Sequence, residues 1–181
     1  MTVAAAIRLG GYTWIGSDTV ASSWQEKCDC GTKMVHRHNW HCAISGTIRT
    51  LDIVRESEAF DFAIKTMSDV HKFRDALLKE HLEKGKAKAV ATGDDPLQHS
   101  FQALLVTRKF MVRIESDYGI LHGVKFLAIG SGSQAASGAL WAQLRMDKKM
   151  GGRTILENAI RASIALNPGC GGRCQVVLVG K

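Results

Sequence analysis

Strand-like and helix-like stretches are segregated into blocks along this chain, and that order limits the folds open to it. Residues 3–9 and 12–17 read as strands joined at Gly10-Gly11, and residues 33–36 and 39–45 as a second short pair, with a polar connection over 19–31. From Thr47 the chain reads as helix: Phe60, Ala63, Ile64 and Met67 recur at helical spacing, and Val70, Phe73 and Leu77 continue the stripe. Ser68-Asp69 predicts the cap of a second helix ending at Gly85, followed by a loop over 85–100. Strands return at 102–108, 109–115, 119–122 and 125–129, with turn chemistry at Asp117-Tyr118-Gly119. Ala136, Leu140 and Leu144 then share a helix face, and Gly151-Gly152 breaks that helix. Ile155, Ala159, Ala162 and Leu166 form another stripe, closed by Asn167-Pro168-Gly169, and residues 174–179 form a last strand.

Strands, two helices, strands, two helices, strand is not the alternation of a parallel βαβ fold. Segregated blocks call for antiparallel sheets with helices packed outside them. Two such sheets face to face, each covered by a helix pair, bury every apolar stripe. The expected class is therefore α+β, a four-layer α/β/β/α sandwich. At 181 residues, one domain over 1–181 is expected, with a core of ordinary size.

Composition narrows the function classes. No run of about 18 apolar residues is present, so no membrane helix is expected. The apolar start "VAAAI" is short, lacks a preceding basic residue and is followed by Arg8, which does not suit a secretory signal. Five cysteines, an odd number, then read as reduced thiols, and a cytoplasmic setting is expected. The net charge of +7 keeps nucleic acid in view. The denser basic stretches, 79–90 and 145–153, are mixed with acids or sit at helix ends, which reads as solvated surface rather than a nucleic-acid groove.

Several residues carry possible chemistry, each with a plainer alternative. Thr2 suits a strand; it would also become the first residue if Met1 were removed, carrying a hydroxyl and a free α-amine together. Asp18, after "IGS", reads on its own as a turn aspartate, and Lys33 as an exposed lysine. Gly46 either allows an unusual backbone angle between strand and helix or presents its N–H to a ligand. The stretch "GSGSQAASG" (130–138) also resembles a phosphate loop before a helix, but lacks the lysine of a P-loop and the spacing of a dinucleotide fingerprint. "CDCGTKMVHRHNWHC" (28–42) holds zinc-ligand types; Cys28, Cys30, His36 and His38 are the metal candidates, with His36 and His38 on one face of a strand. Its Cys-x-Cys spacing is tighter than the usual Cys-x2-Cys, and ordinary strand and loop residues are the favoured reading.

Four stretches together resemble one family: "TVAAAIRLGGYTWIGSD" (2–18), "TKMVHR" (32–37), "CAISGTIRT" (42–50) and "FLAIGSGSQAASGAL" (126–140). They resemble the proteasome β-type subunits and the bacterial HslV-like peptidases, within the N-terminal nucleophile hydrolases. The resemblance covers nearly the whole chain and implies the same four-layer sandwich. It implies a threonine endopeptidase whose nucleophile is Thr2 after loss of Met1. The α-amine, with a reference pKa near about 8, would take the hydroxyl proton. Lys33 would favour ionisation beside Thr2, Asp18 would hold Lys33, the Gly46 N–H would form an oxyanion hole, and Ser131 would orient the amine. It further implies a homo-oligomeric ring, peptide or unfolded-protein substrates, an AAA+ ATPase unfoldase as a possible partner, and no cofactor. One segment departs from the family pattern. Where the family carries Asp-x-x-Ser, this chain has Asn167-Pro168-Gly169-Cys170, so Asn167 supplies a hydrogen bond without a charge and Cys170 a weaker partner than serine.

Overall fold

The computed structural model describes residues 2–22, 27–46, 48–92, 101–146 and 150–180. The chain opens with the hairpin β1 (Ala4–Leu9) and β2 (Tyr12–Ser17), then the short strands β3 (Val20–Ser22) and β4 (Lys27–Asp29), then β5 (Met34–Arg37) and β6 (Trp40–Gly46). Two helices follow, α1 (Ile48–Glu56) and α2 (Met67–Thr92), separated by a 3-10 turn at Glu58–Phe60. Next come β7 (Phe101–Thr107), β8 (Met111–Ile114), β9 (Ile120–His122) and β10 (Phe126–Ile129). The helices α3 (Ser133–Met146) and α4 (Gly152–Leu166) and the strand β11 (Gln175–Gly180) complete it.

The strands form a four-stranded sheet in the order β10-β1-β2-β11 and a five-stranded sheet in the order β5-β6-β7-β8-β9, with β3 and β4 paired apart. Every pairing among the described residues is antiparallel. Strand alternation sends one set of side chains inward: Ala4, Ala6 and Ile15 from the first sheet meet Ala43, Leu104 and Val106 from the second. The opposite set faces the helices. Val35, Trp40, Cys42 and Leu105 pack on Val54, Phe73 and Leu77, while Val3, Ala5 and Ile7 pack on Leu140, Leu156 and Ile160. These three apolar layers make the four-layer α/β/β/α sandwich expected from the sequence.

Four local readings need correction. The polar connection over 19–31 contains the β3–β4 pair, although residues 23–26 lie outside the described set. Residues 61–66 are not helical despite the spacing of Phe60, Ala63 and Ile64. The turn before β6 claims their backbone: Asn39 bonds both the N–H and the carbonyl of Ile64, and Trp40 Nε1 donates to the Phe62 carbonyl. The second helix then begins with a reciprocal cap, in which the Thr66 N–H donates to the Asp69 carboxylate and the Asp69 N–H to Thr66 Oγ1. It passes through Gly85 to Thr92, so the loop expected at 85–100 is helical up to that point; residues 93–100 lie outside the described set, as do Thr47 and residues 147–149 of the basic stretch. Finally, α4 buries Ile155, Leu156, Ala159, Ile160 and Ser163, whereas Leu166, at its last turn, is 75% exposed.

Candidate active site

Asp18 follows β2 directly and is fully buried. A carboxylate there needs several donors to offset its lost hydration. It has three: Lys33 Nζ donates to Oδ1 at 2.7 Å, the Val3 N–H to Oδ1 at 3.1 Å, and the Gly171 N–H to Oδ2 at 3.0 Å. Lys33 precedes β5, is itself buried, and donates also to the Val20 carbonyl. The Asp18 N–H returns a bond to the Val3 carbonyl at 3.1 Å, so Asp18 grips both sides of the residue after Thr2.

Thr2 is nearly buried, and its carbonyl accepts the Gly132 N–H at 3.3 Å. This bond comes from the turn between β10 and α3. At Gly130 the backbone has φ +84°, and a Cβ would lie 2.1 Å from the Thr2 carbonyl oxygen, so only glycine fits. The Gly130 N–H donates to Gln102 Oε1 at 2.9 Å, and Ser163 Oγ on α4 donates to the Gly132 carbonyl at 2.9 Å. Ser131, between them, is exposed at the mouth of the site.

Asn167 and Cys170 reach the same turn. Asn167 Nδ2 donates to the Ser131 carbonyl at 2.8 Å while its Oδ1 accepts the Gly169 N–H at 2.9 Å. Cys170 Sγ lies 3.9 Å from Ser131 Oγ. Burial pushes the Cys170 thiol above its ordinary pKa, and the negative charge of Asp18 adds to this, with Ser131 and Lys33 acting the other way. Cys170 is thus a packed thiol lying within the field of the Asp18–Lys33 pair.

Gly46 ends β6 with φ +103° and is exposed. Together with Thr2, Gly130 and Ser131 it lines a cavity of about 390 Å3. Gln102 and Glu115 line the same cavity, joined by a 2.7 Å bond from Gln102 Nε2 to Glu115 Oε2. Sequence reading missed these two and Gly171. Gln102 left one sign, a polar side chain near the start of the apolar strand "FQALLVT"; Gly171 left none, because a backbone N–H contributes whatever the residue.

The cysteine and histidine cluster is dispersed. Cys28 and Cys30 are exposed, and Cys30 Sγ donates to the Thr19 carbonyl at 3.2 Å. His36 and His38 do not share a face: His36 stacks on His41 across the β5–β6 pair, with centroids 4.2 Å apart, while His38 sits in the turn at φ 48° and bonds Asp61 at 2.8 Å. Among the described residues, no three His, Cys, Asp or Glu side chains are grouped to hold a metal ion. No described helix is long and apolar enough to cross a membrane.

No family model matches the sequence, and no curated protein matches it significantly. The fold, however, is shared with solved structures. BPH from Thiobacillus denitrificans in complex with epoxomicin superposes with a TM-score of 0.78 at 18% identity, covering 97% of each chain. A second structure of that BPH gives 0.75 at 18% identity, over 97% of this chain and 96% of the other. Eukaryotic HslV from Trypanosoma brucei gives 0.70 at 15% identity, over 97% of this chain and 98% of the other. The chain shares the HslV fold over 97% of its length.

Proposed function

We propose that this chain is a threonine peptidase of the N-terminal nucleophile kind, in which Thr2 attacks the peptide carbonyl once Met1 has been removed. The observation that carries the reading is the buried Asp18–Lys33 pair, fastened by two backbone bonds to Val3, the neighbour of Thr2. A surface lysine and a turn aspartate need no such burial. A cation held against the neighbour of Thr2 suits activation of a hydroxyl there once Met1 is gone.

In this mechanism the Thr2 α-amine takes the hydroxyl proton as Oγ1 bonds to the substrate carbonyl carbon. The resulting oxyanion is stabilised by the Gly46 N–H, a donor of a kind typically worth about 3 kcal/mol in the transition state. Collapse breaks the C–N bond, and the leaving amine takes the proton back. Water then hydrolyses the Thr2 ester by the same proton path, releasing the acid and the free hydroxyl. Lys33 keeps positive charge beside the reacting hydroxyl, Asp18 fixes Lys33, and Ser131, Asn167 and Cys170 hold the turn that seats Thr2. The fold shared with HslV supports a cytoplasmic, single-domain subunit over 1–181 of a homo-oligomeric ring, acting on peptides or unfolded chains, alone or fed by an AAA+ ATPase. No cofactor takes part in these steps.

The test is the intact mass of the purified protein with and without epoxomicin, an epoxyketone that joins the hydroxyl and amine of an N-terminal threonine. Loss of Met1 and one adduct, absent in Thr2→Ala, is the expected result. Retained Met1 overturns the reading. Asn167 and Cys170, in place of the family's aspartate and serine, favour a second reading, a ring subunit without activity. Loss of Met1 with neither an adduct nor turnover of unfolded protein would select it.

A further inference from the structure

At the other end of the sandwich lies a second and larger cavity, about 580 Å3, between the β1–β2 turn, the start of β8 and the β9–β10 turn. Arg8 lies six residues along the chain from Thr2, roughly 20 Å at strand rise, so a molecule bound here is remote from the Thr2 site. Four of its eleven lining residues are basic or histidine, Arg8, Lys109, His122 and Lys125, and none is acidic.

Among the described residues, none of the four forms an ion pair with a carboxylate. Arg8 is nevertheless held in place: its Nε donates to Thr13 Oγ1 and its Nη2 to the Arg108 carbonyl, both at 3.2 Å. Its N–H donates to the Lys125 carbonyl at 2.9 Å, which fixes the two basic residues side by side. A guanidinium positioned by neutral acceptors retains its full charge for a ligand. Three permanent cations around one concavity repel each other, and a multiply charged anion relieves that repulsion.

The remaining lining is apolar and includes Leu9, Phe110, Met111 and Val124. A bare inorganic anion has no use for such walls, whereas an organic group buried against them gains hydrophobic free energy. The volume falls in the usual range for small-molecule sites, about 300–1,000 Å3. We propose that this cavity binds a polyphosphorylated organic anion of nucleoside-diphosphate size, with the phosphates on Arg8, Lys109 and Lys125 and the organic part against Phe110 and Val124. The proposal is independent of the peptidase reading.

Isothermal titration of the full chain, in magnesium-free buffer at low salt, tests it with ADP, pyrophosphate and adenosine as probes. ADP is expected to bind, pyrophosphate about tenfold more weakly, and adenosine without saturation. Lys109→Glu combined with Lys125→Glu is expected to weaken ADP binding by more than about tenfold, while Lys79→Glu, on the exposed face of α2, leaves it unchanged. If the double charge reversal does not fold, Lys109→Gln and Lys125→Gln separately each lower the affinity about threefold. The proposal is overturned by the absence of ADP binding, by equal affinity for pyrophosphate, or by a loss in Lys79→Glu as large as in the double variant.

Discussion

Lys33 Nζ lies 2.7 Å from Asp18 Oδ1, with the two side chains 5% and 0% exposed. Removing one partner of such a pair leaves the other charge buried and uncompensated, which typically costs about 3–5 kcal/mol. Lys33→Met should lose stability of that order in urea denaturation. Adding Asp18→Asn should restore part of it, because the amide oxygen can still accept from Val3 while no charge remains buried. A Lys33→Met variant within about 1 kcal/mol of the parent would mean that the pair contributes little to the fold.

Gly130 and Gly138 make a matched test of backbone constraint. A Cβ at Gly130 meets the Thr2 carbonyl oxygen at 2.1 Å with φ at +84°, whereas a Cβ at Gly138 in α3 meets nothing within 4 Å. Gly130→Ala should destabilise by about 2 kcal/mol or more and abolish the epoxomicin adduct, since the Thr2 backbone must move. Gly138→Ala should stabilise by about 0.5–1 kcal/mol and leave the adduct intact. Thermal melts and intact mass read both.

Asn167 would be changed to aspartate by anyone seeking to restore the family pattern. The geometry argues against a gain. Asn167 Nδ2 donates to the Ser131 carbonyl at 2.8 Å, and a carboxylate would set oxygen against oxygen there. Asn167→Asp should therefore lower stability by about 1–3 kcal/mol at pH 7 and slow turnover of a fluorogenic peptide. Faster turnover would show that the missing charge outweighs the lost bond.

His41 should make the protein acid-sensitive. Burial, reinforced by the adjacent His36, lowers its pKa from 6.5 to about 4. The folded value lies below the unfolded one, so the unfolded chain takes up the proton first as the pH falls. The contribution is complete above pH 6.5 and is lost between about pH 6.5 and 4, by up to about 3 kcal/mol. His41→Phe should flatten that part of a stability-against-pH curve measured by denaturant titration. An unchanged slope would assign the acid sensitivity elsewhere.

Where the physics was local, the fold was legible in the sequence. The segregated periodicities gave the layers, and Gly10-Gly11 and Asp117-Tyr118-Gly119 marked their turns. Residues 61–66 were misread because distant side chains decide their backbone: Asn39 and Trp40 bind Ile64 and Phe62 across the layer boundary, and no helical spacing can report that. The same division holds at the site. Asp18 and Lys33, named from the resemblance, do pair. The resemblance also named Asn167, and the structure adds that it bonds the Ser131 backbone rather than substituting for a charge. Gly171 and the Gln102–Glu115 wall arise from chain crossings that leave almost no mark on composition.

The bond from the Gly171 N–H to Asp18 Oδ2 joins residues 153 positions apart, and β11 seals the same region by pairing with β2. During synthesis the first hairpin therefore leaves the ribosome long before the segment that completes its carboxylate. Contacts of such sequence separation form late and slowly. The nascent chain accordingly carries the Asp18 carboxylate with one of its three donors still missing. Translation itself thus postpones the completed cradle around Asp18 until the segment carrying Gly171 has emerged and folded back on the first hairpin.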